Sequence, residues 1–321
     1  MGRKISIVTA CYNEEDNVEL LYEAVKSIFQ DLDEYEYEHI FIDNASADKT
    51  VPILKEIAKK DKNVKIIVNA RNFGHIRSPF HALIQARGDA VISLVADFQD
   101  PPEMIPEFIK KWNEGCKVVV GVKKESEENA LLFLIRRTYY YFIEKLSDVK
   151  QIKNFTGFGL YDKKIIEQLR LIDDPYPYMR GLISEIGYDI CQVEYRQPVR
   201  KRGITKNNFY TLYDMAMLGI TSYSKIPLRL AALIGFTLAI ISLIFAFFYT
   251  VYKLIYWYSF DVGIAPLVIG LFFFSAVQLF FIGVIGEYIG SIQTRVMKRP
   301  LVIERERINF EDQSDDGDSI R

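Results

Sequence analysis

Asp97, Gln99 and Asp100 stand together in the stretch 89–105, DAVISLVADFQDPPEMI. Carboxylate and amide oxygens are hard ligands. Asp97 and Gln99, two apart on an extended segment, would share a face and could hold a Mg²⁺ or Mn²⁺ that also touches a diphosphate. Asp100 beside them is a candidate orienting group or weak base. A second cluster, Arg196, Arg200, Lys201, Arg202 and Lys206, falls within eleven positions and encloses Gly203 and Thr205. A flexible basic loop of that kind suits phosphate. Each cluster also has a plainer reading: an acid after a strand caps the next helix, and a basic run is a solvated face.

The elements that must position these groups follow a repeating pattern. Strand-like runs at Ile5–Ala10, His39–Asp43, Val64–Val68 and Ala90–Ala96 alternate with helical patterns at Val18–Phe29, Val51–Lys60, Ser78–Ala86 and Glu103–Asn113. Apolar strands without period-2 alternation suit a parallel sheet covered on both faces. Right-handed crossovers then bring the polar turn after each strand to one edge, where α/β sheets bind ligands. Those turns carry Tyr12-Asn13-Glu14, Asp43 to Thr50, Asn69 to His75, and Asp97 to Pro102. Lys117–Val122 is expected to continue the sheet after the fourth strand, and Cys191–Pro198 also has strand character. The glycine-bearing, aromatic segment 154–162, NFTGFGLYD, has no assignment from spacing.

Composition bounds the rest. The chain has 321 residues, half of them hydrophobic, and a net charge of -2 that makes no case for nucleic acid as a partner. Cys11, Cys116 and Cys191 lack CxxC grouping, so neither a disulfide framework nor a zinc site is expected, which suits a reducing compartment. The first residues enter a strand pattern at once, unlike a cleavable signal peptide.

From Leu230 to Tyr252 and from Val262 to Gly286 there is no charged side chain, and the short connection between them carries only Lys253 and Asp261. At about 1.5 Å per residue, each run is long enough to cross a bilayer core as a helix. Tyr256, Trp257 and Tyr258 form an aromatic belt; Lys225 and Arg229 precede the first run, and Arg295, Lys298 and Arg299 follow the second. The positive-inside rule then places both chain ends in the cytoplasm. Leu131–Leu146 and Phe209–Tyr223 are candidate interfacial helices, and the acidic segment 311–321 is expected to be disordered.

The segments IVTACYNEEDN, FIDNASADKT, NARNFGH, VADFQDPPE and RKRGITK, in this order and ahead of two spans, resemble the family 2 glycosyltransferases that act on polyprenyl phosphates. These are the dolichol-phosphate mannose synthase and bactoprenol glucosyltransferase types. The resemblance implies an α/β GT-A (Rossmann-like) domain over 1–225, a two-helix transmembrane hairpin over 226–290 and a cytoplasmic tail over 291–321. It implies an enzyme of the inner (plasma) membrane, with a nucleotide-sugar donor, a polyprenyl phosphate acceptor, Mg²⁺ or Mn²⁺, and homo-oligomers packed through the spans. By position, Tyr12, Asn13 and Glu14 would line the nucleoside, Asp43 the base, and Arg71 the nucleotide. Asp97 and Gln99 would hold the metal, and Arg200, Arg202 and Lys206 would clamp phosphate as the acceptor arrives.

The chain departs from the family pattern at Val95, where relatives carry the first acid of D-x-D, at Asn44, where a second Asp follows Asp43, and at Gly157, where an Asp is frequent. A lipid phosphate is already anionic and needs no base to activate it, so the absence of an acid at 157 is compatible with transfer. A processive polysaccharide synthase is disfavoured because no Q-x-x-R-W segment is present. A non-enzymatic nucleotide-sugar-binding membrane module would bind without metal-dependent turnover.

Overall fold

The computed structural model describes residues 2–123, 152, 155–198, 217–218, 221, 224, 226–256 and 264–310. It divides into two compact units, one built on a sheet and the other on two long helices.

In the sheet unit, β1 (Arg3–Cys11), β2 (Tyr35–Asp43), β3 (Val64–Asn69) and β4 (Ala90–Val95) are joined by α1 (Val18–Asp31), α2 (Thr50–Lys60) and α3 (Gly74–Gln85). They pair in parallel in the spatial order β4-β1-β2-β3, as βαβ units of one hand require. A 3-10 turn (Pro102–Met104) leads into α4 (Ile105–Asn113), followed by β5 (Val118–Lys123), β6 (Phe155–Asp162), α5 (Lys163–Leu171), α6 (Met179–Glu185) and β7 (Ile190–Tyr195). Strand β8 (Glu304–Ile308) closes the far edge.

The sheet is covered on both faces, which is why its central strands are apolar throughout. Val18 and Leu21 of α1, Leu54 of α2 and Phe108 of α4 pack with Ile5, Ile7 and Phe41 on one side. Phe80 and Leu83 of α3, Ile165 of α5 and Leu182 of α6 pack with Val8, Ile40 and Val91 on the other. Alternate strand residues therefore serve opposite cores, and almost every one of them is buried.

Several expectations need correction. β5 joins the sheet as expected but does not pair with β4; β6 lies between them, antiparallel to both. The unassigned segment is this strand. Its Gly159 is required by close approach, since a Cβ there would sit 2.4 Å from the Val119 carbonyl oxygen. Helix α3 begins at Gly74 rather than near Ser78 and tolerates Pro79 in its interior. Residues 304–308, read as part of a tail, form β8 on the edge of β3. They are fixed by Lys55 to Glu306 at 2.5 Å, His81 Nε2 to Glu304 at 2.6 Å, and Asn309 Nδ2 donating to the Ala58 and Val64 carbonyls. A disulfide joins Cys116 to Cys191, against the expectation from spacing. The parallel pairing that sets Val119 opposite Cys191 brings the two cysteines together.

The second unit contains α7 (Ile226–Ile255) and α8 (Ile264–Val296). Leu233, Phe236, Phe245, Phe247 and Phe248 of α7, and Leu271, Leu279 and Phe280 of α8, are exposed, an apolar surface of the kind that marks a membrane or protein contact. Within α8, Phe273–Val296 is long and apolar enough to cross a membrane. The expected helix at 131–146, most of the one at 209–223, and the acidic segment 311–321 lie outside the described residues.

At the amino edge of the strands Glu38 is buried at 1% exposure. It accepts from Ser6 Oγ at 2.6 Å, Lys65 Nζ at 2.7 Å and Lys4 Nζ at 2.9 Å. Burial alone would push its carboxyl up, but the bonds from Lys65, Ser6 and Lys4 outweigh it and hold the group at about 2. Because the folded value lies below the unfolded one, the stabilisation is complete above the ordinary carboxylate range and is lost as pH falls toward 2. Glu38→Gln leaves two lysines facing a neutral amide and should cost about 3 kcal/mol at pH 7. Urea titrations at pH 7 and pH 3 should show the gap between variant and native protein narrowing at the lower pH.

Candidate active site

The parallel register brings the carboxyl ends of β1 to β4 level, since Cys11 lies opposite Asp43, Asp43 opposite Val68, and Ala10 opposite Val95. Four polar turns therefore start side by side. Each contains one residue in the left-handed region: Asn13 (φ 55), Ala45 (φ 63), Gly74 (φ 86) and Phe98 (φ 58). Three of these are not glycine, and such backbone persists only where surrounding contacts hold it.

The contacts are present. Ser46 donates from its backbone N to Asp43 Oδ1 at 2.9 Å and from its hydroxyl to Asp43 Oδ2, while its Oγ accepts from Asn13 N at 2.8 Å. Asn13 Oδ1 accepts from Ala47 N at 2.8 Å, and Glu14 N donates to Thr50 Oγ1 at 2.9 Å. The first two turns are thus stitched into one. Asn44 extends the stitching to the third: its Nδ2 donates to Asn72 Oδ1 at 2.9 Å, and its Oδ1 accepts from Phe73 N at 2.9 Å and Asn69 Nδ2 at 3.1 Å. A second aspartate at 44 could accept from Phe73 and Asn69 but could not donate to Asn72.

Each predicted nucleoside residue has a defined place. Tyr12, Asn13 and Glu14 are half-buried on the first turn. The Asn13 and Glu14 side chains are engaged within the turns, Glu14 Oε2 accepting from Asn17 Nδ2 at 2.7 Å. Asp43 has no exposed surface, and burial pushes its carboxyl up. Both its oxygens are engaged by Ser46, so here it shapes the turn rather than presenting an open carboxylate to a base. Arg71 is exposed on the third turn, its guanidinium 4.1 Å from the centre of the Phe73 ring.

On the fourth turn Asp97 and Gln99 are half-buried and Asp100 is buried. The segment is a turn rather than an extended strand, with Phe98 left-handed and Gln99 N donating to Asp97 Oδ1 at 3.1 Å. Among the described residues no group of three or more His, Cys, Asp or Glu side chains converges into a closed cation cage. Two hard oxygen donors on a partly open turn do fit Mg²⁺ or Mn²⁺, which keep water and phosphate oxygens in their shell. Asp100, only 4% exposed, faces inward and is pushed up to about 7 by burial. It accepts from the Tyr195 hydroxyl at 3.1 Å, which makes it an orienting group and not a base open to substrate.

Arg200, Arg202 and Lys206 lie outside the described residues. Gly157 stands near the start of β6 at φ 105, with open space where a side chain would begin. Sequence reasoning missed Ser46, Thr50 and Tyr195. The polar run Asn44 to Thr50 signalled a turn but not which hydroxyl would join it to Asn13.

With this geometry in view, the comparisons fall into place. The model of the family described as "Glycosyl transferase family 2" matches residues 6–170. The chain is 36% identical over 303 residues to a SfII prophage-derived bactoprenol glucosyl transferase of Shigella flexneri, covering 94% of this chain and 97% of the relative. It is 34% identical over 303 residues to a prophage bactoprenol glucosyl transferase homolog of Escherichia coli K12, covering 94% and 98% respectively. A crystal structure of mannosyl-3-phosphoglycerate synthase from Rubrobacter xylanophilus is similar at TM-score 0.49 and 16% identity, over 67% of this chain and 71% of that one. The extent of the sequence likeness and the family match over β1 to α5 together make the chain a member of glycosyl transferase family 2, and an enzyme.

Proposed function

We propose that this glycosyltransferase moves a hexose, with glucose the first candidate, from a nucleotide sugar such as UDP-glucose to a polyprenyl phosphate at the cytoplasmic face of the inner membrane. The observation that carries this reading is the end-to-end likeness to a protein named as a bactoprenol glucosyl transferase. The turns at the carboxyl edge of the sheet support it, since their residue types suit a nucleoside diphosphate.

In this reading Tyr12, the stitched turns after β1 and β2, and Arg71 hold the nucleotide. Asp43 acts through Ser46, and a direct bond from Asp43 to a base would require the Ser46 hydroxyl to turn away. Asp97 and Gln99 hold Mg²⁺ or Mn²⁺; when bound, the cation supplies positive charge to the leaving diphosphate. Arg200, Arg202 and Lys206 take the acceptor phosphate, and their charge offsets its repulsion by the donor. The acceptor oxygen displaces the nucleoside diphosphate in one step, so an α-linked donor becomes a β-linked lipid product. No proton has to be removed, in keeping with Gly157.

The membrane arrangement belongs to the same proposal. α7 at 30 residues and α8 at 33 residues would each span the bilayer, with both chain ends cytoplasmic. A polyprenyl tail could then stay in lipid while its phosphate meets the donor.

The full chain, purified in detergent, should be incubated with undecaprenyl phosphate and radiolabelled UDP-glucose, UDP-galactose, UDP-N-acetylglucosamine or GDP-mannose. Chelator-sensitive label should enter the lipid phase, and most from UDP-glucose. Asp97→Ala should reduce that transfer by about a hundredfold or more. Absence of chelator-sensitive lipid label with every donor would defeat the proposal. Ser46→Ala should raise the donor KM about tenfold while changing the KM for undecaprenyl phosphate little, because it frees the turns that frame the nucleotide. Equal donor KM values for Ser46→Ala and native protein would remove Ser46 from that role.

A further inference from the structure

The Asp97–Gln99 turn needs an anchor, since its left-handed Phe98 leaves it strained. That anchor comes from a strand distant in sequence. Asp100 is buried beneath the turn and accepts from the Tyr195 hydroxyl at 3.1 Å. This bond ties the turn to the end of β7.

Tyr195 is itself closely held. It is 5% exposed, and its ring meets Phe158 edge-on at 5.3 Å and 79°. Phe158 in turn packs at 4.8 Å against Phe108 of α4. Gly121 of β5 leaves the room this needs, because a Cβ there would lie 2.7 Å from Phe158 Cδ1 and 3.1 Å from Tyr195 Cε1. The disulfide from Cys191 to Cys116 and the pairing of Tyr195 with Lys123 fix the strand that carries it. One hydroxyl therefore joins β7 to the turn after β4.

We propose that Tyr195 is a positioning residue for the transfer reaction: through Asp100, its hydroxyl sets the direction in which Asp97 and Gln99 face the donor's diphosphate. This rests on the reading of Asp97 and Gln99 as the pair that holds the divalent cation. Tyr195 touches neither donor nor acceptor. Its effect is to stop the turn from relaxing, so its loss should appear in cation retention and in turnover rather than in acceptor affinity.

Tyr195→Phe tests this, because the ring and its packing stay and only the hydroxyl goes. Mn²⁺ should be titrated into the full-length protein in detergent with UDP present, following the free-Mn²⁺ electron paramagnetic resonance signal, alongside transfer kinetics and a thermal melt. Tyr195→Phe should weaken Mn²⁺ retention about tenfold and lower kcat about tenfold, while the KM for undecaprenyl phosphate stays within about twofold. Asp100→Ala should show the same pattern, and the double variant should be no worse than the poorer single one, since both break one link. Gly121→Ala, which crowds the Tyr195 ring from outside the turn, should also weaken Mn²⁺ retention.

Native Mn²⁺ retention and kcat in Tyr195→Phe would overturn the proposal, and so would a lowered melting temperature with both quantities unchanged well below the melt. Fully additive losses in the double variant would overturn it too; should Asp100→Ala not fold, Tyr195→Phe decides alone. If native protein retains Mn²⁺ with UDP yet labels no lipid, the polyprenyl reading fails while the Mn²⁺ titration still decides Tyr195. If native protein retains no Mn²⁺ with UDP, both fail together.

Discussion

The structure depends on parallel strands ending at one level. When Cys11, Asp43 and Val68 align across β1, β2 and β3, and Val95 aligns with Ala10 across β4 and β1, the turns that follow have nowhere to go but beside one another. A one-residue slip in any pairing would move a strand's apolar set to the opposite core, so the two cores enforce the alignment. Register here does what a cluster of sequence-adjacent ligands does elsewhere. It assembles a polar rim from turns 25 or more positions apart, as in the bonds from Asn13 to Ser46 and from Asn69 to Asn44.

That rim is strained, and its side chains are used to hold the strain. Asn13, Ala45 and Phe98 occupy backbone conformations that side chains disfavour by about 1 kcal/mol or more each. Asp43, Asn44 and Asp100, all buried, spend their hydrogen-bonding capacity on the turns themselves. The half-buried groups, Asp97 and Gln99 among them, lie nearer the surface. One short stretch, DFQD, thus holds both a half-buried pair and a buried anchor.

Much of this was legible in the sequence because it is local. The strands β1 to β4, the helices between them and the turns after each strand follow from apolar runs and polar breaks within a few residues. What was not legible is long-range. Nothing local says that β6 inserts between β4 and β5, since that depends on the fit of Gly159 against Val119, 40 residues away. β8, ERERI, alternates charge along an edge that needs little apolar surface, so its composition reads as a tail. The disulfide has the same origin, since Cys116 and Cys191 are 75 residues apart and meet only because β5 and β7 pair. At the site, Asp97 and Gln99 stand out in the sequence by type, whereas the turn that holds them, the bonds of Ser46 and the burial of Asp100 required the fold.

The central claim is that the turn after β4 grips a divalent cation against the donor's diphosphate. Anomalous diffraction at the manganese edge, from crystals of the full-length protein with Mn²⁺ and UDP, tests it most directly. The account predicts one peak at about 2.1 Å from an Asp97 carboxylate oxygen and the Gln99 side-chain oxygen, bridged to the diphosphate. A manganese peak bound by other residues, or ordered UDP at the rim with no manganese beside Asp97, would contradict it.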